Sequence, residues 1–181
     1  MIILGVDPGT IFSGYGVIEY NGNNLSYLHS GLINLNSKIS LSAKLEIIYA
    51  ELSSVIKIYQ PTDFSIETSF YGKNVQSAMK IGYARGVSLL VAAHNKLNTG
   101  EYSPREIKKS VTGKGAASKE QVSFMIKTLL HIDVSKLKFD ETDGLAAAVC
   151  HAFNSKPAAA KKNGGWKSFV ENNPERIIGG I

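Results

Sequence analysis

The first 34 residues commit this chain to a β-sheet. Ile2-Ile3-Leu4-Gly5-Val6 is a short apolar run that reads as a buried strand, and it ends on the turn signal Asp7-Pro8-Gly9. Gly14-Tyr15-Gly16-Val17-Ile18-Glu19-Tyr20 follows as a second strand. The hairpin signal Asn21-Gly22-Asn23-Asn24 then leads into a third, Leu25 to Asn34. Three strands in a meander open the chain, and the rest of it has to supply the cover.

It does so with helices. Leu41, Leu45, Ile48, Leu52 and Val55 recur at alternating spacings of four and three, which predicts an amphipathic helix ending before Pro61. Phe64-Ser65-Ile66-Glu67 reads as a short central strand, and residues 74 to about 97 as a long helix. Within that helix Ala78, Gly82 and Gly86 lie four apart; each glycine costs about 1 kcal/mol relative to alanine, and close approach of another element would offset it. Ser103-Pro104-Arg105-Glu106 and Ser118-Lys119-Glu120-Gln121 are capping boxes that start two further helices, with the flexible loop Thr112-Gly113-Lys114-Gly115-Ala116-Ala117 between them. A last helix is expected from about residue 140 to 153. The order implies an α/β fold, a mixed sheet flanked by helices.

The chain's 181 residues suit one domain over 1–155, followed by a tail at 156–181 whose Lys-, Ala- and Gly-rich start reads as flexible. A single cysteine, Cys150, leaves no intrachain disulfide. No apolar run approaches the roughly 20 residues of a membrane span, and the N-terminus lacks signal-peptide features. A cytoplasmic protein without a membrane partner is therefore expected. The formal net charge of +5 modestly favours a polyanionic partner.

Four carboxylates fall where sites gather in α/β sheets, at strand ends and helix starts. Asp7 and Glu67 each close a strand, and Asp140 and Asp143 share a face at the start of the last helix. Taken singly each has an ordinary role: Asp7 as a turn residue, Glu67 as a solvated strand end, Asp140 as an N-cap, Asp143 in the favourable field of a helix N-terminus. Jointly they point to a divalent cation, because carboxylates brought together without counter-ions repel one another.

The sequence also resembles a known family. Ile3-Leu4-Gly5-Val6-Asp7-Pro8-Gly9-Thr10 with Gly14-Tyr15-Gly16-Val17-Ile18 is similar to the opening of RuvC, the bacterial Holliday junction resolvases. The likeness continues through Ile66-Glu67-Thr68-Ser69-Phe70, Lys73-Asn74-Val75-Gln76-Ser77-Ala78 and Ala84-Arg85-Gly86-Val87. It resumes at Glu101-Tyr102, Ile107-Lys108, Val111-Thr112-Gly113 and Asp140-Glu141-Thr142-Asp143-Gly144-Leu145-Ala146, covering about residues 1–153 in the family's order.

That resemblance implies an RNase H-like fold with a five-stranded mixed sheet. It implies a homodimer acting on four-way junction DNA in recombination and repair, with a branch-migration helicase complex as partner. It also implies catalytic acids at Asp7, Glu67, Asp140 and Asp143 that hold two Mg²⁺ ions per site, with Mn²⁺ as a substitute. Lys108 and Lys119 match basic positions near the site, expected to meet phosphate or transition-state charge; Phe70 matches an aromatic that stacks at the crossover. Lys73 and Lys114 join them as expected DNA contacts. The long helix would supply much of the dimer interface.

Three other readings compete. Asp7-Pro8-Gly9-Thr10-Ile11-Phe12-Ser13 is also similar to the phosphate loop of actin-like and sugar-kinase ATPases, but those need a second lobe that 181 residues do not accommodate. A non-catalytic junction-binding protein would have no need of all four acids. A RuvX-like RNase H-fold nuclease would lack this glutamate context and the long helix.

Overall fold

A computed structural model of the chain describes residues 1–36, 38–68 and 75–155. Phe70, Lys73 and the tail at 156–181 lie outside them. The elements run β1 (Ile2–Asp7), β2 (Phe12–Tyr20), β3 (Leu25–Asn34), α1 (Leu41–Tyr59), β4 (Asp63–Glu67), α2 (Val75–His94), β5 (Asn98–Tyr102), α3 (Pro104–Thr112), α4 (Lys119–Leu130) and α5 (Phe139–Asn154). The strands form one mixed sheet in the order β3-β2-β1-β4-β5. β1, β2 and β3 are an antiparallel meander, whereas β4 lies parallel to β1 and β5 parallel to β4.

The period of two along each strand divides the sheet into two faces. Leu4, Val6, Tyr15, Val17, Phe64 and Ile66 pack with α1 and α2. Ile3, Ile18 and Tyr20 turn the other way, into a second core built with α3, α4 and α5. α5 is central to that second layer, and its residues from Gly144 to Ala152 are all buried. Its N-terminal half is buried by glycines. A Cβ on Gly5 would overlap the Gly144 carbonyl and the Ala148 amide, and one on Gly14 would overlap the Asp140 carbonyl. A Cβ on Gly144 would lie 2.7 Å from the Tyr15 Cα.

Further along, polar ties hold the helix to β4. Ser65 Oγ donates to the Ala147 carbonyl at 2.7 Å, and His151 Nε2 lies 3.4 Å from Asp63 Oδ1, with Tyr102 Oη 3.0 Å from its other ring nitrogen. Buried polar atoms need such partners, so these contacts also fix where along the sheet the helix sits.

Both expected capping boxes form, at Ser103 with Glu106 and at Ser118 with Gln121. Three local expectations change. α2 stops at His94, short of 97, because Lys96 takes a left-handed conformation (φ 57°) before the chain enters β5. β5 itself, Asn-Thr-Gly-Glu-Tyr, is a half-exposed edge strand whose composition does not announce one. α5 begins at Phe139 with Lys138 as its N-cap, so Asp140 lies inside the first turn and is not the cap. Glu141 accepts from the Lys138 amide at 3.0 Å instead, which leaves the Asp140 carboxylate free for other work.

Candidate metal centre

Strand alternation delivers the first two acids. Ile3, Gly5 and Asp7 point to the α5 side of β1, as Asp63, Ser65 and Glu67 do on β4. β1 and β4 run parallel with Val6 opposite Ile66, so Asp7 and Glu67 emerge at the same carboxyl edge. The glycine contacts then lower the first turn of α5 onto β2 beside Asp7, whose own partner across the ladder is Gly14. Asp140 and Asp143, three apart on that turn, project to the same place.

Carboxylate oxygens of Asp7, Asp140 and Asp143 lie within 4.8 Å of one another. Glu67 stands outside this tight group but close enough to be felt by it. Burial, and then the charges of Glu67, Asp143 and Asp140, push Asp7 up to about 8, with Lys119 opposing. Burial and Asp143 push Glu67 up to about 7, while Lys119 and Lys108 pull it down. The donor set is oxygen throughout, which suits a hard divalent cation, and the spacing matches a cluster able to close around one.

Lys119, first residue of α4, donates from Nζ to Asp143 Oδ2 at 2.7 Å. Burial works against its charge, but that hydrogen bond and the charges of Asp143, Asp7 and Asp140 prevail and hold its pKa above the usual lysine value. Lys108 lies within α3 rather than at its start, half-buried, near enough to act on Glu67. Lys114 is exposed in the α3–α4 loop. The structure thus gathers the four acids with Lys108 and Lys119; Phe70 and Lys73 fall outside the described residues.

The raised carboxylates have a consequence for stability. Between the ordinary carboxylate range and about pH 8, the unfolded chain has released protons that Asp7 and Glu67 still hold in the fold. The unfolded state then binds fewer protons, so metal-free stability falls as pH rises through that window. In EDTA the melting temperature should drop by at least about 5 °C between pH 5 and 8.5 beyond any drop in Asp7→Asn. A saturating divalent cation, which would need the ionised acids, should restore most of that loss. A flat profile in EDTA would show that the acids are not crowded as described.

A mixed sheet of this order, with an acidic cluster at its carboxyl edge completed by a helix laid across it, is the RNase H-like nuclease architecture. The chain belongs to the RuvC family, crossover junction endodeoxyribonucleases, whose sequence model matches residues 3–151. The crossover junction endodeoxyribonuclease RuvC of Chloroherpeton thalassium is 43% identical over 185 residues, spanning 98% of this chain and 100% of the relative. That of Cytophaga hutchinsonii is 42% identical over 176 residues, spanning 97% and 88%. Among solved structures, T. thermophilus RuvC in complex with Holliday junction substrate superposes with a TM-score of 0.81 at 27% identity, over 86% of this chain and 95% of that one. The yeast mitochondrial Holliday junction resolvase Ydc2 shares the fold, with a TM-score of 0.59 at 12% identity, over 96% of this chain and 83% of that one.

Two features of the site escape sequence reasoning. One is the pairing of Lys119 with Asp143, across 24 residues of chain. The other is the glycine contact that seats α5; its signal was available in Gly14 and Gly16 sharing one strand face and in Gly144 following Asp143.

Proposed function

We propose that this chain resolves four-way DNA junctions by hydrolysing phosphodiester bonds, with Asp7, Glu67, Asp140 and Asp143 as the ligands of two Mg²⁺ ions, replaceable by Mn²⁺. The observation that carries the reading is the convergence of Asp7, Asp140 and Asp143 within 4.8 Å, from a strand end and a distant helix. Divalent ions held there would supply an activated water and charge neutralisation for phosphodiester hydrolysis. The chain's own part is to fix the ligands. Asp7 and Glu67 would hold the ions from the strand ends, and Asp140 and Asp143 from the first turn of α5. Lys108, Lys114 and Lys119 lie on the elements flanking the cluster, where they would meet the phosphates of an approaching strand.

We take the active form to be a homodimer, since symmetric nicks across a junction call for two sites related by a two-fold axis. The outer face of α2 supports this. Val75, Met79, Tyr83 and Leu90 are exposed along it, and Gly82 and Gly86 have nothing within 4 Å of a would-be Cβ. A second helix can approach such a surface closely. Residues 1–155 are taken as the nuclease domain, and a branch-migration helicase complex as the further partner. Among the described residues no helix is long and apolar enough to cross a membrane.

The test is the full-length protein on a synthetic four-way junction, with a linear duplex of the same sequence beside it. Paired nicks are expected in Mg²⁺ or Mn²⁺. Ca²⁺, less strict in geometry, should support binding with little cutting. Sedimentation should show a dimer on the junction. Cutting that persists in EDTA would refute the metal reading, and equal cutting of linear duplex would refute junction selectivity.

A further inference from the structure

The acidic cluster already has one cation, and it is part of the chain. Among the described residues, Lys119 is the single basic side chain in an ion pair with any of the four acids. Its ammonium bonds Asp143, one of the three residues whose oxygens converge. The Lys119 side chain remains 52% exposed, so little packing holds it there, while Asp143 is 16% exposed. Its backbone, by contrast, is fixed: Ser118 caps α4 in a full capping box, with the Gln121 amide donating to Ser118 Oγ at 3.3 Å. A long, mobile ammonium on a rigid base is suited to occupy a position and then leave it.

We propose that Lys119 is the internal counter-ion of the metal-free cluster, and that it must surrender Asp143 when a divalent cation binds. This rests on the reading of Asp7, Asp140 and Asp143 as metal ligands. It adds that the ammonium and the metal compete for a carboxylate. Two consequences follow from the charges alone. The cluster can stay assembled without metal, because part of its mutual repulsion is already offset. Metal affinity is held below what the carboxylates alone would give, and the displaced ammonium becomes available to a phosphate at the moment the ions are in place. A static strut joining α4 to α5 would offset the repulsion too, but it would neither compete with the metal nor free an ammonium for phosphate.

Calorimetric titration with Mg²⁺ alone, without DNA, separates these possibilities. It should be run near pH 9, above the value at which Asp7 holds its proton. Lys119→Met is expected to tighten Mg²⁺ binding about three- to tenfold, an effect of the size a half-exposed charge exerts on its neighbours. Lys119→Arg, which keeps the charge, should stay close to wild type. In the wild-type protein, the ¹⁵N signal of the Lys119 ammonium, identified by its loss in Lys119→Arg, should be visible without metal and should vanish or shift on saturation with Mg²⁺. Unchanged or weaker affinity in Lys119→Met, or an ammonium signal indifferent to Mg²⁺, would make Lys119 a strut and overturn the proposal while leaving the metal centre standing. Absence of Mg²⁺ binding in wild type and both variants would remove the metal reading itself, and this inference with it.

Discussion

Asp7→Asn, Glu67→Gln, Asp140→Asn and Asp143→Asn should each slow junction cleavage at least a hundredfold, in round terms, while metal-free junction binding stays equal or tightens. The two halves of this expectation have one cause. Without metal an ionised carboxylate repels phosphate, so neutralising one removes an unfavourable charge. Asp7, by contrast, holds its own proton below about pH 8, and its amide should leave metal-free binding nearly equal. With metal, a missing ligand disturbs both the charge and the geometry on which an in-line displacement depends. Amides are nearly isosteric with the acids, so folding should persist. Asp7→Asn should even be the more stable protein at alkaline pH in EDTA, because it abolishes the ionisation that burial opposes most strongly. Gel shifts without metal, cleavage in Mg²⁺ and thermal melts check all four. A variant that cuts near the wild-type rate would leave the proposed site. Asp140 is the most informative, since a capping role, in which asparagine serves as well as aspartate, is ruled out by Lys138 occupying the N-cap.

Gly14→Val should be the most damaging change away from the acids. Its first carbon would overlap the Asp140 carbonyl, which is backbone and cannot swing aside. The first turn of α5 must lift off β2, taking Asp140 and Asp143 with it. Overpacking of this kind costs about 1–3 kcal/mol in stability, and the loss of function should be larger than the loss of fold. Cleavage is expected to fall by at least about a hundredfold, with Mg²⁺ binding weakened in parallel, because a ligand displaced by even 1 Å is badly placed for catalysis. Gly82→Ala offers the contrast. It meets open space in a helix interior, so it should raise monomer stability by up to about 1 kcal/mol. Urea unfolding and metal titration of both variants would show whether the glycines differ in this way. A Gly14→Val protein with wild-type metal affinity would contradict the close seating of α5.

Much of this was legible in the chain. The meander was written in its turns, α1 in its 3–4 spacing, and α3 and α4 in their capping boxes. The acids were legible because each sits at a boundary where the hydrophobic pattern stops. β5 was hidden for a physical reason: an edge strand makes one ladder and faces water, so Asn98-Thr99-Gly100-Glu101-Tyr102 need not alternate. The N-cap of α5 is not legible, because Asp140 has the chemistry of a cap whereas the cap position is taken by Lys138 and its amide is satisfied by Glu141. Lys119 is marked by resemblance and by its place at a capped helix start. Only folding, which sets the start of α4 beside the start of α5, gives it Asp143 as a partner.

The dependence of the site on α5 also bears on how the protein is made. Asp7 leaves the ribosome well ahead of Asp140 and Asp143, which follow about 130 residues later. The glycines that receive α5 lie in β1 and β2, so the nascent chain carries an empty berth until α5 emerges. A truncated product ending before residue 139 would have the meander, Asp7 and Glu67, yet only half of the cluster. Hydrolytic competence therefore waits for α5, and a chain stalled before it should not cut DNA.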